Sequence, residues 1–451
     1  MKANLFKQPV MGGLSAVLRS IKDKRILFVF IAAVGGIMGL LFYFYGYIQT
    51  WNLWNIPAYQ LPFLDLRSIL SAAESYSAGY NPAIDNPLDP LHRRFNYPKV
   101  WYLILATGIN QTWTIPLGIA IISLFLIGVI LFPGKLNKLS IFFLLLGLFS
   151  PAALFGIERA NIDLFFFFLL CLGLILLEVS QIASFMTLMI GVLFKIFPLF
   201  GVGYFLDRDN KSSLKFILLG VLFAACYFLM TYHNMMTVFK NTLKGPDISY
   251  GLAVLPTYVK WLTGEKIVEA NQPLLYQLDL RVNNIFVRSP LLPYFVAFAF
   301  LLISSLLGIF RNDDEFRSND LRNLRAFWLG AGVYMGTFLL GNNWDYRLVF
   351  LLFTLPQLGD WIMQVVGSSK IAVWMTILTL FLSMWYFVLK AIVANFSLTA
   401  SYIHPVVDQA IKWALFAGLT YLYASSVPRW IVDNIQALPA KFLQRVRPHV
   451  V

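Results

Sequence analysis

Residues 26–48, ILFVFIAAVGGIMGLLFYFYGYI, decide the class of this protein. A helix of about 20 apolar residues is long enough to cross a bilayer, and this run carries no charged side chain. Basic residues from Lys2 to Arg25 precede the run, which contains no small-residue cleavage site. We therefore expect a retained membrane anchor whose basic amino terminus stays in the cytoplasm.

The composition extends this expectation to the whole chain of 451 residues. Hydrophobic residues make up 59% of the chain and charged residues only 13%, whereas about 25% of the residues of a soluble domain are charged. Because no long polar block is present, residues 1–451 are expected to form a single multi-pass membrane domain. The net charge of +13 lies in short basic runs beside apolar segments, which indicates membrane topology and gives no reason to expect a nucleic-acid partner.

The alternation of apolar segments and basic turns predicts an all-α integral membrane fold with roughly ten to twelve transmembrane helices, some of them re-entrant or half helices. The expected full spans are residues 26–48, 113–132, 139–155, 164–177, 214–231, 291–310, 326–340, 348–363, 371–389 and 411–425. Residues 97–109 are too short to cross and are expected to be re-entrant or interfacial. Lys195 and Pro198 interrupt an apolar run, which predicts two half-helices that meet in a water-filled cavity. With this number of crossings, both termini are expected in the cytoplasm. The expected extracytoplasmic loops span about residues 49–112 and 233–290.

Three polar segments are expected on the outer face of this membrane domain. Residues 61–99, LPFLDLRSILSAAESYSAGYNPAIDNPLDPLHRRFNYPK, contain Asp65 just after the first span. The second segment is GIERANID at 156–163, and the third is GNNWDYR at 341–347. Since charged side chains at membrane depth tend to line a cavity or a site, the three segments together with Lys195 predict one shared site.

Each of these charged groups also has an ordinary structural explanation. Asp65 could pair with Arg67, Glu158 with Arg159 and Asp345 with Arg347, while Lys195 could extend its ammonium to the membrane interface. Cys171 and Cys226 lie in apolar runs without a CxxC partner, so neither a disulfide nor a metal site is expected from them. These ordinary explanations do not require the three polar segments to lie on the same face of the membrane. Their expected location on one face therefore favours a shared site.

The order of the motifs resembles the C-type glycosyltransferases, in particular glycosyltransferase family 87. An aspartate just after the first span, AAESYSAGYNP at 72–82 and FNYP at 95–98 are similar to the first outer loop of that family. ERANID at 158–163 resembles its polar-x-Asn signature, and LFKIFPLF at 193–200 resembles its Lys-x-x-Pro turn. The similarity covers most of the chain in order. The carboxylate pair of protein O-mannosyl and oligosaccharyl transferases is missing, because Leu66 and Arg67 follow Asp65.

The resemblance implies a GT-C-like fold that transfers a sugar, such as mannose or another hexose, from a polyprenyl-phosphate-sugar donor to a lipid or glycan acceptor. The reaction would take place on the extracytoplasmic side of the cell membrane, without a metal or a cofactor. Asp65 is the expected general base of an inverting transfer, and Lys195, Arg159 and Arg347 are the expected ligands of the donor phosphate. The other expected substrate-binding residues are Glu158, Asn161, Tyr97, Asn342, Asn343 and Asp345.

Two alternatives remain open from the sequence. A transporter or flippase for a lipid-linked saccharide would also explain a lysine at membrane depth, without any chemistry. A polymerase or ligase of envelope polysaccharides would also be multi-pass and would use outward arginines. A long polar loop with a carboxylate after the first span favours the enzyme over the carrier, whose pathway would open alternately to both faces.

Overall fold

The chain is mostly helical in the computed structural model, which describes residues 24–207, 211–245, 247–255, 291–311, 314–316, 320–394, 400–435 and 437. Its α-helices are α1 (Arg25–Tyr45), α2 (Tyr47–Asn52), α3 (Leu64–Ser77), α4 (Tyr102–Leu105), α5 (Thr114–Ile130), α6 (Lys138–Leu148), α7 (Pro151–Glu158), α8 (Asp163–Leu177), α9 (Gln181–Phe194), α10 (Leu214–Met230), α11 (Tyr232–Asn241), α12 (Leu292–Phe310), α13 (Leu321–Leu340), α14 (Leu355–Gln364), α15 (Gly367–Met384), α16 (Tyr386–Ala394) and α17 (Ala400–Ser426). The 3-10 helices are Lys99–Trp101, Gln111–Trp113, Phe197–Phe205, Lys211–Ser213, Asp314–Phe316 and Asp345–Phe353. Strands β1 (Ser249–Tyr250) and β2 (Asn343–Trp344) form one antiparallel pair.

Within these ranges, four helical segments are long and apolar enough to cross a membrane, namely Arg25–Tyr45, Gln111–Leu131, Leu292–Phe310 and Gly367–Met384. Two bent pairs raise the number to six if each pair counts as one span: α6 with α7, bent by 50°, and α10 with α11, bent by 84°. The expectation of an all-α membrane protein is therefore confirmed at the level of class. Fewer helices than the expected ten to twelve meet the length requirement, because several apolar segments fold as shorter helices such as α8 and α9.

Polar side chains of the turns contact each other at both ends of the helical structure. At one end, Asp360 accepts hydrogen bonds from Asn137 at 2.9 Å and from Asn323 at 2.7 Å. At this same end, Arg325 lies 3.2 Å from Glu178. Helix α13 begins here and has 20 residues, or about 30 Å of length. Its other end leads to β2, so the segments at 156–163 and 341–347 lie at the second end of the structure.

The chain breaks at Lys195, as the sequence predicts. Helix α9 ends at Phe194, and Pro198 lies in the first turn of the 3-10 helix Phe197–Phe205. The second half is thus a 3-10 helix, which packs closely on α13. A Cβ atom on Gly332 would lie 2.2 Å from the carbonyl oxygen of Phe200, and one on Gly336 would lie 2.0 Å from its ring. This close packing holds Lys195 at the second end.

Residues 97–109 do not form a continuous helix. They contain the 3-10 helix Lys99–Trp101 and the short α4, which cover one face of α3. A small apolar core lies between them and contains Ile69, Phe95, Trp101 and Leu105. This packing fixes the loop that carries Tyr97 against the helix that carries Asp65.

Candidate functional site

Backbone hydrogen bonds join the first turn of α3 to the turn after α7. The amide of Phe63 donates to the carbonyl of Glu158 at 3.2 Å, and the amide of Leu66 donates to the carbonyl of Arg159 at 3.4 Å. The first amides of a helix have no partner within the helix, so these carbonyls satisfy two of them. The bonds bring Asp65, in the first turn of α3, beside the polar segment at 156–163.

Helix α7 ends in a Schellman motif at this junction. The amide of Ala160 donates to the carbonyl of Ile157, and the amide of Asn161 donates to the carbonyl of Gly156, each at 3.0 Å. Ala160 has a φ of +42°, a conformation that favours glycine, and its side chain is fully buried. The turn reverses the chain and places Asn161 next to Asp65.

Asn161 connects two carboxylates through its side-chain amide. Its Nδ2 atom donates to Asp65 Oδ2 at 2.6 Å, while its Oδ1 atom accepts from the backbone amide of Asp163 at 2.9 Å. The second bond is the local Asx contact that asparagine often forms two residues ahead, and it precedes α8 directly. One buried side chain therefore fixes both Asp65 and the start of α8.

Two cations converge on Asp163. Lys195 Nζ lies 2.5 Å from Asp163 Oδ1, and Arg347 Nε lies 2.9 Å from Asp163 Oδ2. The Asp163 side chain is only 1% exposed, and it lies at the amino-terminal end of α8, where the helix dipole favours a negative charge. The three side chains together carry one excess positive charge. We refer to Asp163, Lys195 and Arg347 as the cation pair cluster.

The cation beside Asp65 is Arg93 rather than Arg67. Arg93 Nη1 lies 3.6 Å from Asp65 Oδ1, and the Asp65 side chain is 22% exposed. Arg67 instead donates to Gln111 at 3.1 Å. The pairing of Asp65 with Arg67 is thus wrong, because residues two apart in a helix point to different faces.

Asp89 holds Arg93 in this position. The guanidinium of Arg93 donates to both Asp89 carboxylate oxygens, at 3.1 and 2.9 Å, and to the carbonyl of Leu64 at 2.8 Å. Burial raises the pKa of the Asp89 carboxyl, but the hydrogen bonds and charge of Arg93 outweigh it, so that the pKa lies below its usual range. Asp89 is ionised at neutral pH and orients the cation that faces Asp65.

Tyr97 lies over the cation pair cluster. The ammonium of Lys195 is 5.1 Å from the centre of the Tyr97 ring, which packs 4.8 Å from the ring of Trp101. Burial, together with the charges of Asp65 and Asp163, raises the pKa of the Tyr97 phenol. The phenol is therefore neutral and available as a hydrogen-bond donor next to both carboxylates.

Glu158 and Arg159 form a separate pair, as their ordinary explanation suggests. Arg159 Nε lies 3.0 Å from Glu158 Oε2, and Arg159 Nη2 donates to the carbonyl of Pro57 at 2.9 Å. Tyr47 donates to Glu158 Oε1 at 3.2 Å. The structure does not join Arg159 to the cation pair cluster, although both were expected to bind one phosphate.

The three residues of segment 341–347 that were expected to bind substrate, Asn342, Asn343 and Asp345, contact different parts of the structure. Asn343 accepts from Arg347 Nη1 and donates to the carbonyl of Thr337, so it supports the cation pair cluster. Asn342 exchanges two hydrogen bonds with the backbone of Gly245. Asp345 is fully buried and pairs with Lys412 at 2.9 Å. The alternative pairing of Asp345 with Arg347 is therefore wrong, because Lys412 pairs with Asp345 while Arg347 pairs with Asp163.

Sequence reasoning assigned no individual role to Arg93, Asp163, Asp408 or Lys412, and it interpreted Asp89 as a loop or acceptor-side residue. The sequence does contain a pattern that could have indicated two of these ion pairs. Asp89 and Arg93, and likewise Asp408 and Lys412, are oppositely charged residues four positions apart. In the part of the chain that the structure describes, no group of three or more His, Cys, Asp or Glu side chains is arranged to hold a metal ion. The site consists of the partly exposed Asp65 beside Arg93, the buried Asp163 with Lys195 and Arg347, and the phenol of Tyr97.

Comparisons of the chain with protein-family models, with curated proteins and with solved structures found no match.

Proposed function

We propose that this chain is a membrane glycosyltransferase, which moves a hexose such as mannose from a polyprenyl-phosphate-sugar donor to a lipid or glycan acceptor. One observation carries the proposal: Asn161 links Asp65, at 2.6 Å, to the backbone of Asp163, the residue on which Lys195 and Arg347 converge. A carboxylate that can take a proton thus lies beside cations that can bind a phosphate. The resemblance to glycosyltransferase family 87 supports the same assignment.

Asp65 would act as the general base. Arg93 Nη1 lies 3.6 Å from one of its oxygens, Asn161 donates to the other, and its side chain is partly exposed. In the transfer step, the acceptor hydroxyl oxygen attacks the anomeric carbon of the donor, and its proton passes to Asp65. The bond between that carbon and the phosphate oxygen breaks, so that the polyprenyl phosphate leaves with the electron pair and the configuration is inverted.

Lys195 and Arg347 would hold the leaving phosphate. Asp163 neutralises only one of their two charges, so the cluster keeps one positive charge for an anionic ligand. Arg347 uses Nε for Asp163 and Nη1 for Asn343, which leaves its Nη2 group for a phosphate oxygen. Arg159, which is engaged by Glu158 and Pro57, has a structural role in this proposal. The phenol of Tyr97 can bind the sugar or the phosphate above Lys195.

The proposed orientation follows from the charge distribution of the sequence. The basic turns at the end that contains Arg325 would lie in the cytoplasm, and the end that contains Asp65 would lie outside. Ten full crossings plus the broken pair at Lys195 remain the proposed topology. Membrane lipids then surround the helices, and the donor reaches the site from the outer leaflet of the cell membrane.

Transfer of label tests the proposal directly. The full chain, purified and reconstituted in nanodiscs, is incubated with polyprenyl-phosphate mannose labelled in the sugar and with a lipid extract as acceptor. We expect labelled product and free polyprenyl phosphate to appear together, with empty nanodiscs as the control. In proteoliposomes, movement of the donor across the membrane without either product would favour the carrier instead, and release of sugar chains would favour the polymerase.

A further inference from the structure

A second charged cluster lies in the protein interior, away from the proposed site. Helix α17 carries Asp408 and Lys412 one turn apart. The ammonium of Lys412 lies 2.7 Å from Asp408 Oδ2 and 2.9 Å from Asp345, and it donates to the carbonyl of Ser249 at 3.0 Å. The side chains of Asp345 and Lys412 are 0% exposed, and that of Asp408 is 2% exposed. The cluster therefore contains two carboxylates and one ammonium, sealed from solvent.

Among the side chains that the structure describes, no group around this cluster supplies a second positive charge. On the neighbouring elements, Lys390 pairs with Asp247, and Arg347 is engaged by Asp163 and Asn343. The other described titratable side chains that face the cluster are the phenols of Tyr250, Tyr334 and Tyr386. If both carboxylates were ionised, the cluster would carry an uncompensated negative charge. Such a charge in a dry interior is strongly unfavourable.

The hydrogen bonds of Asp408 are distributed unequally between its two oxygens. Asp408 Oδ2 accepts from Lys412 at 2.7 Å and from the Gln409 amide at 3.0 Å. Asp408 Oδ1, Gln409 Oε1 and Asp345 Oδ1 are all buried and receive no hydrogen bond from any described residue, but Asp345 Oδ1 lies 2.9 Å from the ammonium of Lys412. Buried acceptors without a donor are rare in folded proteins. A proton on Asp408 Oδ1 would convert one of these acceptors into a donor.

We propose that Asp408 binds one exchangeable proton on Oδ1, which makes the cluster of Asp345, Asp408 and Lys412 electrically neutral. Asp345 then serves as the counterion of Lys412. The cluster ties α17 to the carbonyl of Ser249 in β1 and to Asp345, which lies two residues before Arg347. The proton site thus stabilises the segment that carries Arg347, and it does not depend on the proposed function.

Thermal unfolding of the full chain in nanodiscs tests the charge balance. Asp408→Asn replaces the neutral acid by a neutral amide, so we expect the midpoint to stay within about 2 °C of the wild type. Lys412→Met leaves the ionised Asp345 without its cation, and Asp345→Asn combined with Asp408→Asn leaves the ammonium unpaired. Each of these should lower the midpoint by more than about 5 °C. A loss in Asp408→Asn as large as that in Lys412→Met would overturn the proposal, because Asp408 would then be an ionised counterion.

Infrared spectroscopy detects the proton without relying on stability. The carbonyl stretch of a protonated carboxyl group should be present in the wild type and missing from Asp408→Asn. Because the unfolded chain releases this proton above about pH 4, the midpoint of the wild type should fall as the pH rises, and Asp408→Asn should lack that dependence. If the band is absent, and sodium raises the midpoint of the wild type alone, then a monovalent cation occupies the site and the proton assignment is wrong.

Discussion

Asn161 donates its side-chain amide to Asp65 at 2.6 Å. Its oxygen is already bonded to the backbone amide of Asp163 at 2.9 Å, so the orientation of the amide is fixed and its Nδ2 group must face Asp65. The interaction therefore presents a donor to the carboxylate and keeps it beside the cation pair cluster.

Asn161→Asp should replace the donor that faces Asp65 by a second carboxylate. Since two adjacent carboxylates disfavour each other's ionisation, we expect the acidic limb of the pH–rate profile for transfer to move to higher pH. Asn52→Asp adds the same charge at an exposed position near the same end and is the matched control. An unchanged profile in Asn161→Asp would mean that Asp65 is not the group that titrates.

Asp65→Asn keeps the shape of the side chain and removes the proton acceptor. Transfer should fall by at least roughly a hundredfold, as expected for a positioned general base, while the affinity for the donor stays nearly constant. Asp85→Asn is the control, because Asp85 is exposed in the same polar segment. Retained transfer in Asp65→Asn, or an equal loss of donor binding, would assign the base to another residue, and Glu158→Gln would be the next variant to assay.

Lys195→Ala should weaken donor binding. A hydrogen bond to a charged group contributes roughly 1.5–3 kcal/mol, so we expect the dissociation constant for the donor to rise about 10-fold or more. Arg347 still pairs with Asp163 in this variant, which limits the loss of stability. Lys390→Ala breaks another lysine–aspartate pair, with Asp247, and serves as the control. Donor affinity equal to that of the wild type would make Lys195 a purely structural residue.

Ala160→Gly should stabilise the fold. Ala160 adopts a φ of +42°, and an L-residue in the left-handed region costs roughly 1–2 kcal/mol, most of which glycine avoids. Ala153 is also fully buried but lies inside α7, where glycine in place of alanine should cost about 1 kcal/mol. Thermal midpoints of the two variants should therefore move in opposite directions. Destabilisation of both would contradict the strain inferred at the turn.

Cysteine labelling tests the proposed orientation. In a Cys226→Ser background, a membrane-impermeant maleimide added to intact cells should label Asp85→Cys and should label Arg429→Cys only after permeabilisation. Both positions are exposed, unlike Asn343, which is buried and would react poorly in either orientation. The opposite pattern would place Asp65 and the cation pair cluster in the cytoplasm and would exclude a reaction on the outer face.

Much of the architecture could be predicted from local patterns. Apolar runs identify the membrane class, and the interruption at Lys195 and Pro198 marks a real break between α9 and a 3-10 helix. The structure also brings Asp65, Asn161 and two of the three expected cations, Lys195 and Arg347, to one end of the helices. These features depend on hydrophobic periodicity, on charge bias between turns and on backbone geometry, which a single sequence contains.

The choice of partner for each charge could not be predicted in this way. Asp65 faces Arg93, 28 positions along the chain, and Asp345 faces Lys412, 67 positions along the chain. An ion pair forms where the packing of helices removes water and brings two side chains within reach, and for partners this far apart in the chain the sequence separation carries no information about either condition. The sequence by itself thus determined that this protein is helical and membrane-embedded and which polar segments meet. Only the tertiary structure decided that Asp163 takes both cations and that two carboxylates share Lys412, because burial, and not proximity in the chain, fixes those contacts.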